Sequence, residues 1–166
     1  MKITRPVVIA GAGPVGCTAA LRLAQAGIPV VLLEALPQLP QTLRASTFHP
    51  PSLDMIAELG VVDKLISMGL ICRYYQHRDR RTGEIAEFDL ELLRGDTGHP
   101  YRLQVEQWKY TGLVWDKLSA EYPGLAQCRF GAAVKGVHQS ASGVEVLLYN
   151  TGTDTEEIIE GSFLIA

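Results

Sequence analysis

Residues 6–16 decide the fold of this 166-residue chain, and they read Pro-Val-Val-Ile-Ala-Gly-Ala-Gly-Pro-Val-Gly. The first five, Pro6 to Ala10, are apolar and rich in β-branched side chains, which is typical of a strand buried on both faces of a parallel sheet. The next six, Gly11 to Gly16, have the spacing G-x-G-x-x-G. Cys17 to Ala26 is rich in Ala and Leu at helical spacing, and Gly27 stands where a helix C-cap belongs. The stretch therefore predicts a strand, a glycine turn and a helix.

The glycine turn has the spacing of loops that bind a dinucleotide, and it stands between a strand and a helix, as that chemistry requires. Gly11 allows the tight turn, Gly13 lets a pyrophosphate approach the backbone, and Gly16 lets the helix pack closely on the sheet. The N–H groups at the helix start, together with the helix dipole, would then face the phosphates. The predicted cofactor-binding loop comprises Gly11, Ala12, Gly13, Pro14, Val15 and Gly16.

A second apolar run completes the unit. Pro29 to Leu33 reads as another buried strand and ends at Glu34, whose carboxylate is placed to accept hydrogen bonds from ribose hydroxyls. Ala20, Gly27 and Val30 also stand where the wider dinucleotide-binding pattern has them. That agreement favours a dinucleotide site over a strand-turn-helix that binds nothing.

The remainder of the chain departs from a plain NAD-binding domain, which would continue with a helix and a parallel strand after Glu34. Hydrophobic spacing and turn residues predict a loop at 36–46, two short helices between 50 and 69, a hairpin at 72–89, a strand at 101–105, a helix at 108–122, strands at 132–139, 144–149 and 156–160, and a buried parallel strand at 162–166. Short turns between the three strands from residue 132 onward indicate an antiparallel meander. The predicted fold class is therefore α/β. Its order of elements, a β-α-β unit plus a three-stranded antiparallel meander, resembles the glutathione-reductase-like FAD-binding Rossmann fold.

Composition and charge argue against several classes of protein. Fifteen Lys and Arg against 18 Asp and Glu give a net charge of −3, and no basic block indicates a nucleic-acid surface. No apolar run approaches the roughly 18 residues that span a membrane. The three cysteines are scattered without C-x-x-C spacing, which fits a reducing compartment and predicts a cytoplasmic protein. The histidines lack metal-ligand spacing, so no metal site is predicted.

The glycine loop and three later segments resemble a known family. Val8 to Gly16, with proline directly after the second glycine, is similar to the opening of the group-A FAD monooxygenases, the aromatic and polyketide hydroxylases that are like para-hydroxybenzoate hydroxylase. Arg44-Ala45-Ser46 is similar to the arginine segment that these enzymes place against the FAD phosphate and ribose. Gln107, with Gln104 as the fallback, resembles the family glutamine that contacts the cofactor. Val134 resembles the position whose backbone meets the adenine.

This resemblance implies FAD as cofactor and NAD(P)H as a transient reductant. In the family scheme, O2 adds to the reduced flavin to give a C4a-hydroperoxide, which hydroxylates a small aromatic or polyketide-like substrate. The resemblance also implies that residues 1–166 form the N-terminal part of an FAD-binding domain, with 70–106 contributing to a substrate-domain sheet. The family strand like 162–166 continues into a G-x-D-G-x-x-S segment, so we expect a truncated fold that is inactive alone, with its catalytic residues elsewhere.

Two alternative functions remain open at this point: a dinucleotide-binding module without chemistry of its own, and an NAD(P)-dependent reductase. The sequence also leaves a homo-oligomer open. His49, next to Pro50, either faces the flavin or caps the following helix, and the helix cap is the favoured interpretation.

Overall fold

The computed structural model describes residues 5–166, and the chain divides into two compact units. The first unit comprises the chain up to Thr42 together with Tyr110–Ala166, and the second comprises Leu43–Lys109. In chain order, the elements are β1 (Val7–Ala10), α1 (Pro14–Gln25), β2 (Val30–Glu34), β3 (Thr47–Phe48), α2 (Pro50–Glu58), α3 (Val62–Ser67), β4 (Leu70–Cys72), β5 (Tyr74–Arg78), β6 (Ile85–Asp89), a 3-10 helix (Leu90–Leu93), β7 (Arg102–Gln104), α4 (Gln107–Glu121), β8 (Ala126–Phe130), β9 (Ala132–Ser140), β10 (Gly143–Asn150), β11 (Thr155–Gly161) and β12 (Phe163–Ile165).

A four-stranded parallel sheet forms the centre of the first unit, in the order β12-β1-β2-β8. Val7 pairs with Val30 of β2 on one side and with Phe163 of β12 on the other. The apolar side chains of β1 and β2 are almost entirely buried, because strands inside a parallel sheet are covered on both faces. The predicted β-α-β unit is confirmed.

The predicted antiparallel meander is also confirmed, as a three-stranded sheet in the order β11-β10-β9. Its inner face packs on the parallel sheet and encloses one apolar cluster, which comprises Val8, Leu33, Ala132, Val144, Val146 and Leu148. A Cβ added at Gly161 would lie 2.6 Å from Cγ2 of Val8, so the end of β11 runs directly against β1. This packing places the start of β9 near the carboxyl end of β2, where Gly131 N donates to Leu36 O at 2.9 Å.

Proline and glycine mark the helix boundaries, although α1 begins three residues before the predicted helical stretch at Cys17. α1 begins at Pro14 and α2 at Pro50, since proline lacks only an N–H that the first helical turn would leave unpaired. Gly27 follows α1 with a φ of +74°, the left-handed conformation of a glycine C-cap. Within residues 5–166, the structure has no helix with the length and hydrophobicity to cross a membrane.

The second unit contains α2, α3 and two small antiparallel sheets. One sheet has the order β3-β7-β4, and the other is the predicted hairpin of β5 and β6, which turns at Gly83 with a φ of +72°. The Asp54 carboxylate of α2 accepts hydrogen bonds from Thr97 Oγ1 at 2.6 Å and from His99 Nδ1 at 2.7 Å. Both hydrogen bonds lower the pKa of Asp54, and the bond from Thr97 has the larger effect. They also attach the segment before β7 to α2.

The strands differ from the sequence predictions in three places. β8 was not predicted, because Gln127 and Arg129 interrupt the apolar pattern of this edge strand. β3 and β4 were also missed, because their two and three residues form strands only by pairing with β7. The final strand is parallel, as expected, but it is not buried, since Phe163 is 52% exposed at the edge of the sheet.

Candidate functional site

The glycine loop leaves β1 through a tight turn at Gly11. Its φ of +101° is a conformation that glycine adopts at no steric cost. Gly11 N donates to Leu33 O at 2.7 Å, so the loop is attached to the end of β2. The sequence prediction of a turn that requires glycine at this position is confirmed.

Gly16 is the point of closest approach between α1 and the loop. A Cβ at this position would lie 1.9 Å from the carbonyl oxygen of Gly11 and 3.3 Å from Cγ2 of Ile9. Real Cβ contacts are never that short, so only glycine allows the helix to lie this close to β1. The predicted packing role of Gly16 is confirmed.

Among residues 5–166, no side chain makes a capping hydrogen bond at the N-terminus of α1. Gly13 is the N-cap residue in an extended conformation, and the first turn contains no acidic side chain. Pro14 has no N–H, and the first helical hydrogen bond runs from Cys17 N to Gly13 O at 2.9 Å. The N–H groups of Val15 and Gly16 therefore have no acceptor within the helix.

The space beside Gly13 is open, because a Cβ added there would meet no atom within 4 Å. The amides of Val15 and Gly16 and the positive end of the α1 dipole lie at the same helix start, beside this open space. A phosphate supplies the negative charge and the acceptors that such a helix end lacks. The loop therefore fits the pyrophosphate of a dinucleotide.

Glu34 ends β2 and is 8% exposed. Its Oε2 accepts a hydrogen bond from Ala12 N at 2.9 Å, and its Oε1 accepts one from Leu36 N at 2.9 Å. The carboxylate thus holds the glycine loop against β2, a role that the sequence reasoning missed. Two oxygens offer about four acceptor positions, so the carboxylate keeps acceptor capacity for ribose hydroxyls.

Thr18 connects the first turn of α1 to α4. Its Oγ1 donates to Pro14 O at 2.6 Å and lies 2.5 Å from the hydroxyl of Tyr110. Tyr110 is buried, and this desolvation raises the pKa of its hydroxyl. The contact fixes the orientation of the helix start, and its partners are too far apart in the chain for sequence spacing to reveal them.

Two thiols, the buried Cys17 and the half-buried Cys128, lie close to the loop and to Glu34. Cys17 donates to Ala12 O at 3.3 Å, and burial raises its pKa to about 12. Burial likewise raises the pKa of Cys128 on β8 to about 12, with a smaller contribution from the negative charge of Glu34. Both groups are neutral thiols at neutral pH, so they act as packing residues and not as nucleophiles.

Val134 lies on β9, the outer strand of the meander. It pairs with Leu148, next to a register shift at Leu147/Leu148 of β10. An outer strand has one edge whose backbone groups the sheet does not use. A backbone contact to adenine at this position stays a prediction.

Arg44 and Gln107 belong to the second unit, where the backbone brings their segments together. Gln107 N donates to Ala45 O at 2.9 Å, and Val105 N donates to Ser46 O at 2.9 Å. The Gln104 side chain accepts from Thr47 Oγ1 at 3.0 Å, which makes the fallback candidate part of the β3–β7 pairing.

His49 occupies the N-cap position of α2, as favoured from the sequence. Its side chain makes no capping hydrogen bond, so the prediction that this histidine caps the helix chemically is wrong. The backbone alone places it there, through Leu53 N, which donates to His49 O at 3.0 Å.

Comparison with known proteins identifies several monooxygenases that are similar to this chain. A 6-hydroxy-3-succinoylpyridine 3-monooxygenase of Pseudomonas putida is 35% identical over 165 residues, 99% of this chain and 41% of that protein. A para-nitrophenol 4-monooxygenase of Pseudomonas sp. strain WBC-3 is 31% identical over 146 residues, 88% of this chain and 36% of that protein. The crystal structure of p-nitrophenol 4-monooxygenase PnpA from Pseudomonas putida DLL-E4 superimposes with a TM-score of 0.88 at 25% identity, over 99% of this chain and 40% of that one.

The chain thus spans about two fifths of the length of the relatives it matches. The matching region is their FAD-binding portion, because the model of the FAD binding domain family matches residues 4–166. With the glycine loop, Glu34 and the meander in the arrangement described above, the chain belongs to the FAD binding domain family, and it is similar to part of several flavin-dependent monooxygenases.

Proposed function

We propose that this chain is the FAD-binding portion of an NAD(P)H-dependent monooxygenase that hydroxylates an aromatic or polyketide-like small molecule. The observation that carries the proposal is the uncapped start of α1 behind the open space at Gly13, with the Glu34 carboxylate beside the loop. The monooxygenase names of the relatives support the reaction class.

The first unit would bind the ADP half of FAD. The N–H groups of Val15 and Gly16 would donate to the pyrophosphate, and the remaining acceptor positions of Glu34 would receive the adenosine ribose hydroxyls. The backbone at Val134 would contact adenine. Ala12 and Pro14 shape the loop, since Ala12 N is held by Glu34 and Pro14 begins α1.

The second unit would contribute Arg44 and Gln107, on the strength of their family resemblance. Hydrogen bonds from Gln107 to Ala45 and from Val105 to Ser46 keep the two segments adjacent. This closeness is necessary if Arg44 and Gln107 are to bind the same ligand. A guanidinium offers planar donors to phosphate oxygens, and an amide both donates and accepts.

FAD supplies the electron transfer from NAD(P)H and the activation of O2 that hydroxylation requires. The residues of this chain bind and orient that cofactor. The three cysteines are free thiols in the structure, which supports a reducing compartment and a place in the cytoplasm.

Gly13→Ala tests the phosphate contact. The new methyl group would fold without a clash, yet it would occupy the space that the pyrophosphate needs. We expect the Kd for FAD to rise at least about tenfold, equivalent to losing one hydrogen bond to a charged group, about 1.5 to 3 kcal/mol. Titration calorimetry with FAD, ADP and FMN measures this effect. ADP should compete with FAD, and FMN, which lacks the adenosine, should not.

Gly124→Ala is the matched control, because a Cβ at Gly124 also has no neighbour within 4 Å but lies in the turn after α4. It should bind FAD like the unsubstituted chain. An unchanged Kd in Gly13→Ala would contradict the phosphate site, and preference for NAD over FAD would favour a reductase instead.

Arg44→Lys tests the second unit. Lysine keeps the charge but cannot reproduce the planar, two-pronged donors of arginine. We expect a loss of about 1 kcal/mol, or roughly fivefold in FAD affinity, with an unchanged circular dichroism spectrum. Affinity at the original level would make Arg44 an ordinary loop residue.

A further inference from the structure

Gly131 connects the parallel sheet to the meander. It lies between β8, which ends at Phe130, and β9, which begins at Ala132. Its φ of +69° is in the left-handed region, which glycine adopts without strain. Because Gly131 is buried, its N–H and C=O groups need partners within the protein.

Both backbone groups of Gly131 have such partners. Gly131 N donates to Leu36 O at 2.9 Å, just after the end of β2. Gly131 O accepts two hydrogen bonds from Thr151, one from its backbone N at 2.8 Å and one from its Oγ1 at 3.2 Å. Thr151 lies in the turn between β10 and β11. Gly131 therefore joins that turn to the end of β2.

The series of hydrogen bonds continues to the glycine loop. Leu36 N donates to Oε1 of Glu34 at 2.9 Å, and Ala12 N donates to Oε2 of the same carboxylate at 2.9 Å. All these residues belong to the first unit. The complete series runs, in order, through Thr151, Gly131, Leu36, Glu34 and Ala12.

Two separate donors fix the orientation of the Glu34 carboxylate. With Ala12 N alone, the side chain could rotate about the remaining hydrogen bond, and its other acceptor positions would have no fixed direction. Leu36 N prevents this rotation, because each carboxylate oxygen then has its own partner. Leu36 is 45% exposed, so packing holds it only in part and its bond to Gly131 helps to fix its place.

The Thr151 hydroxyl is not needed to close its own turn. Asn150 does that, because its Oδ1 accepts from Gly152 N at 2.9 Å and from Thr153 N at 3.2 Å. The backbone adds a bond from Asp154 N to Asn150 O at 2.9 Å. The bond from the Thr151 hydroxyl instead leaves the turn and reaches Gly131.

We propose that Thr151 is a positioning residue of the cofactor site. Its hydroxyl acts through Gly131 and Leu36 to hold the Glu34 carboxylate in the orientation that receives the ribose hydroxyls. This inference rests on the proposed function, since the ribose contact belongs to it. It gives the β10–β11 turn a role in cofactor binding without a contact between Thr151 and the ligand.

Thr151→Val tests the hydroxyl, because valine keeps the branched shape and the backbone N–H. The preference for ADP over 2′,3′-dideoxy-ADP, which lacks the ribose hydroxyls, reports on the orientation of Glu34. We expect this preference to fall about threefold or more, as the loss of one hydrogen bond predicts, with an unchanged Kd for the dideoxy ligand. A general loss of stability would weaken both ligands alike. Titration calorimetry measures the four constants.

Two matched variants accompany this change. Thr151→Ser retains a hydroxyl and should keep the original preference for ADP. Thr153→Val removes a hydroxyl from the same turn, one that contacts only Thr155 Oγ1 at 2.7 Å, and should also keep it. An undiminished preference in Thr151→Val, or an equal fall in Thr153→Val or Thr151→Ser, would overturn the proposal.

Amide hydrogen exchange, followed by NMR without any ligand, separates this inference from the proposed function. The Leu36 and Ala12 amides should exchange faster in Thr151→Val than in Thr153→Val, relative to the amide of Leu32 inside β2. Unchanged exchange would overturn the inference and, if the unsubstituted chain prefers ADP, leave the proposed function standing. Faster exchange in a chain without that preference would retain the hold of Thr151 on Glu34 and contradict the ribose contact.

Discussion

Gly16→Ala is expected to destabilise the folded chain severely. The added Cβ would stand 1.9 Å from the carbonyl oxygen of Gly11, and the backbone fixes the position of both atoms, so no side-chain rotation can relieve the contact. Relief requires α1 to move away from β1, which would separate the buried side chains between them. Overpacking in a core costs about 1 to 3 kcal/mol when side chains can adjust, and more is expected here because they cannot.

Urea unfolding followed by circular dichroism measures the loss. We expect the midpoint of Gly16→Ala to fall by an amount equivalent to about 3 kcal/mol or more, a large share of the 5 to 15 kcal/mol typical of a domain. Gly13→Ala is the matched variant, since it adds the same methyl group three residues earlier without a clash. A Gly16→Ala variant with the original midpoint would show that α1 does not press on the loop.

The sequence predicted the parts of the fold in which local pattern and tertiary role agree. β1 and β2 are continuous apolar runs because both faces of the sheet are covered, and the glycines of the loop mark positions where the backbone needs a positive φ or close packing. The meander was also predictable, because turn residues separate its three strands.

Elements that exist only through pairing were not predictable. β8 alternates polar and apolar residues weakly, and it forms because Ala126 to Phe130 align beside β2, from Val30 to Glu34. Its Arg129 is paired with Glu157 of β11, a contact between residues 28 positions apart. No local period encodes such a partner.

In the candidate site, too, the features encoded by local sequence were predictable, and the contacts between distant residues were not. Its loop follows from glycine spacing, but the Thr18–Tyr110 contact joins residues 92 positions apart, which no local pattern reveals. Glu34 was identified as a ribose acceptor from its place at the end of a strand. Its second role, holding Ala12 and Leu36, becomes visible only from the hydrogen bonds.

These two roles of Glu34 make Glu34→Gln the most informative change to the site. The amide keeps one acceptor oxygen but turns an NH2 group toward either Ala12 N or Leu36 N. A buried donor left without an acceptor costs about 1 to 3 kcal/mol, so the chain should lose stability by that amount. The lost charge should also remove about 1.5 to 3 kcal/mol from the contact with ribose, and FAD affinity should fall more than tenfold.

A loss of affinity alone would not separate damage to the loop from loss of the ribose contact, so the ligand must be changed together with the residue. ADP and 2′,3′-dideoxy-ADP differ only in the ribose hydroxyls, and the unsubstituted chain should prefer ADP. Glu34→Gln should bind the two ligands almost equally, because the interaction that distinguishes them is gone. Glu145→Gln, on the exposed surface of β10, loses the same charge and should keep the preference for ADP. If Glu34→Gln still prefers ADP as strongly as before, Glu34 holds the loop and does not bind the ribose.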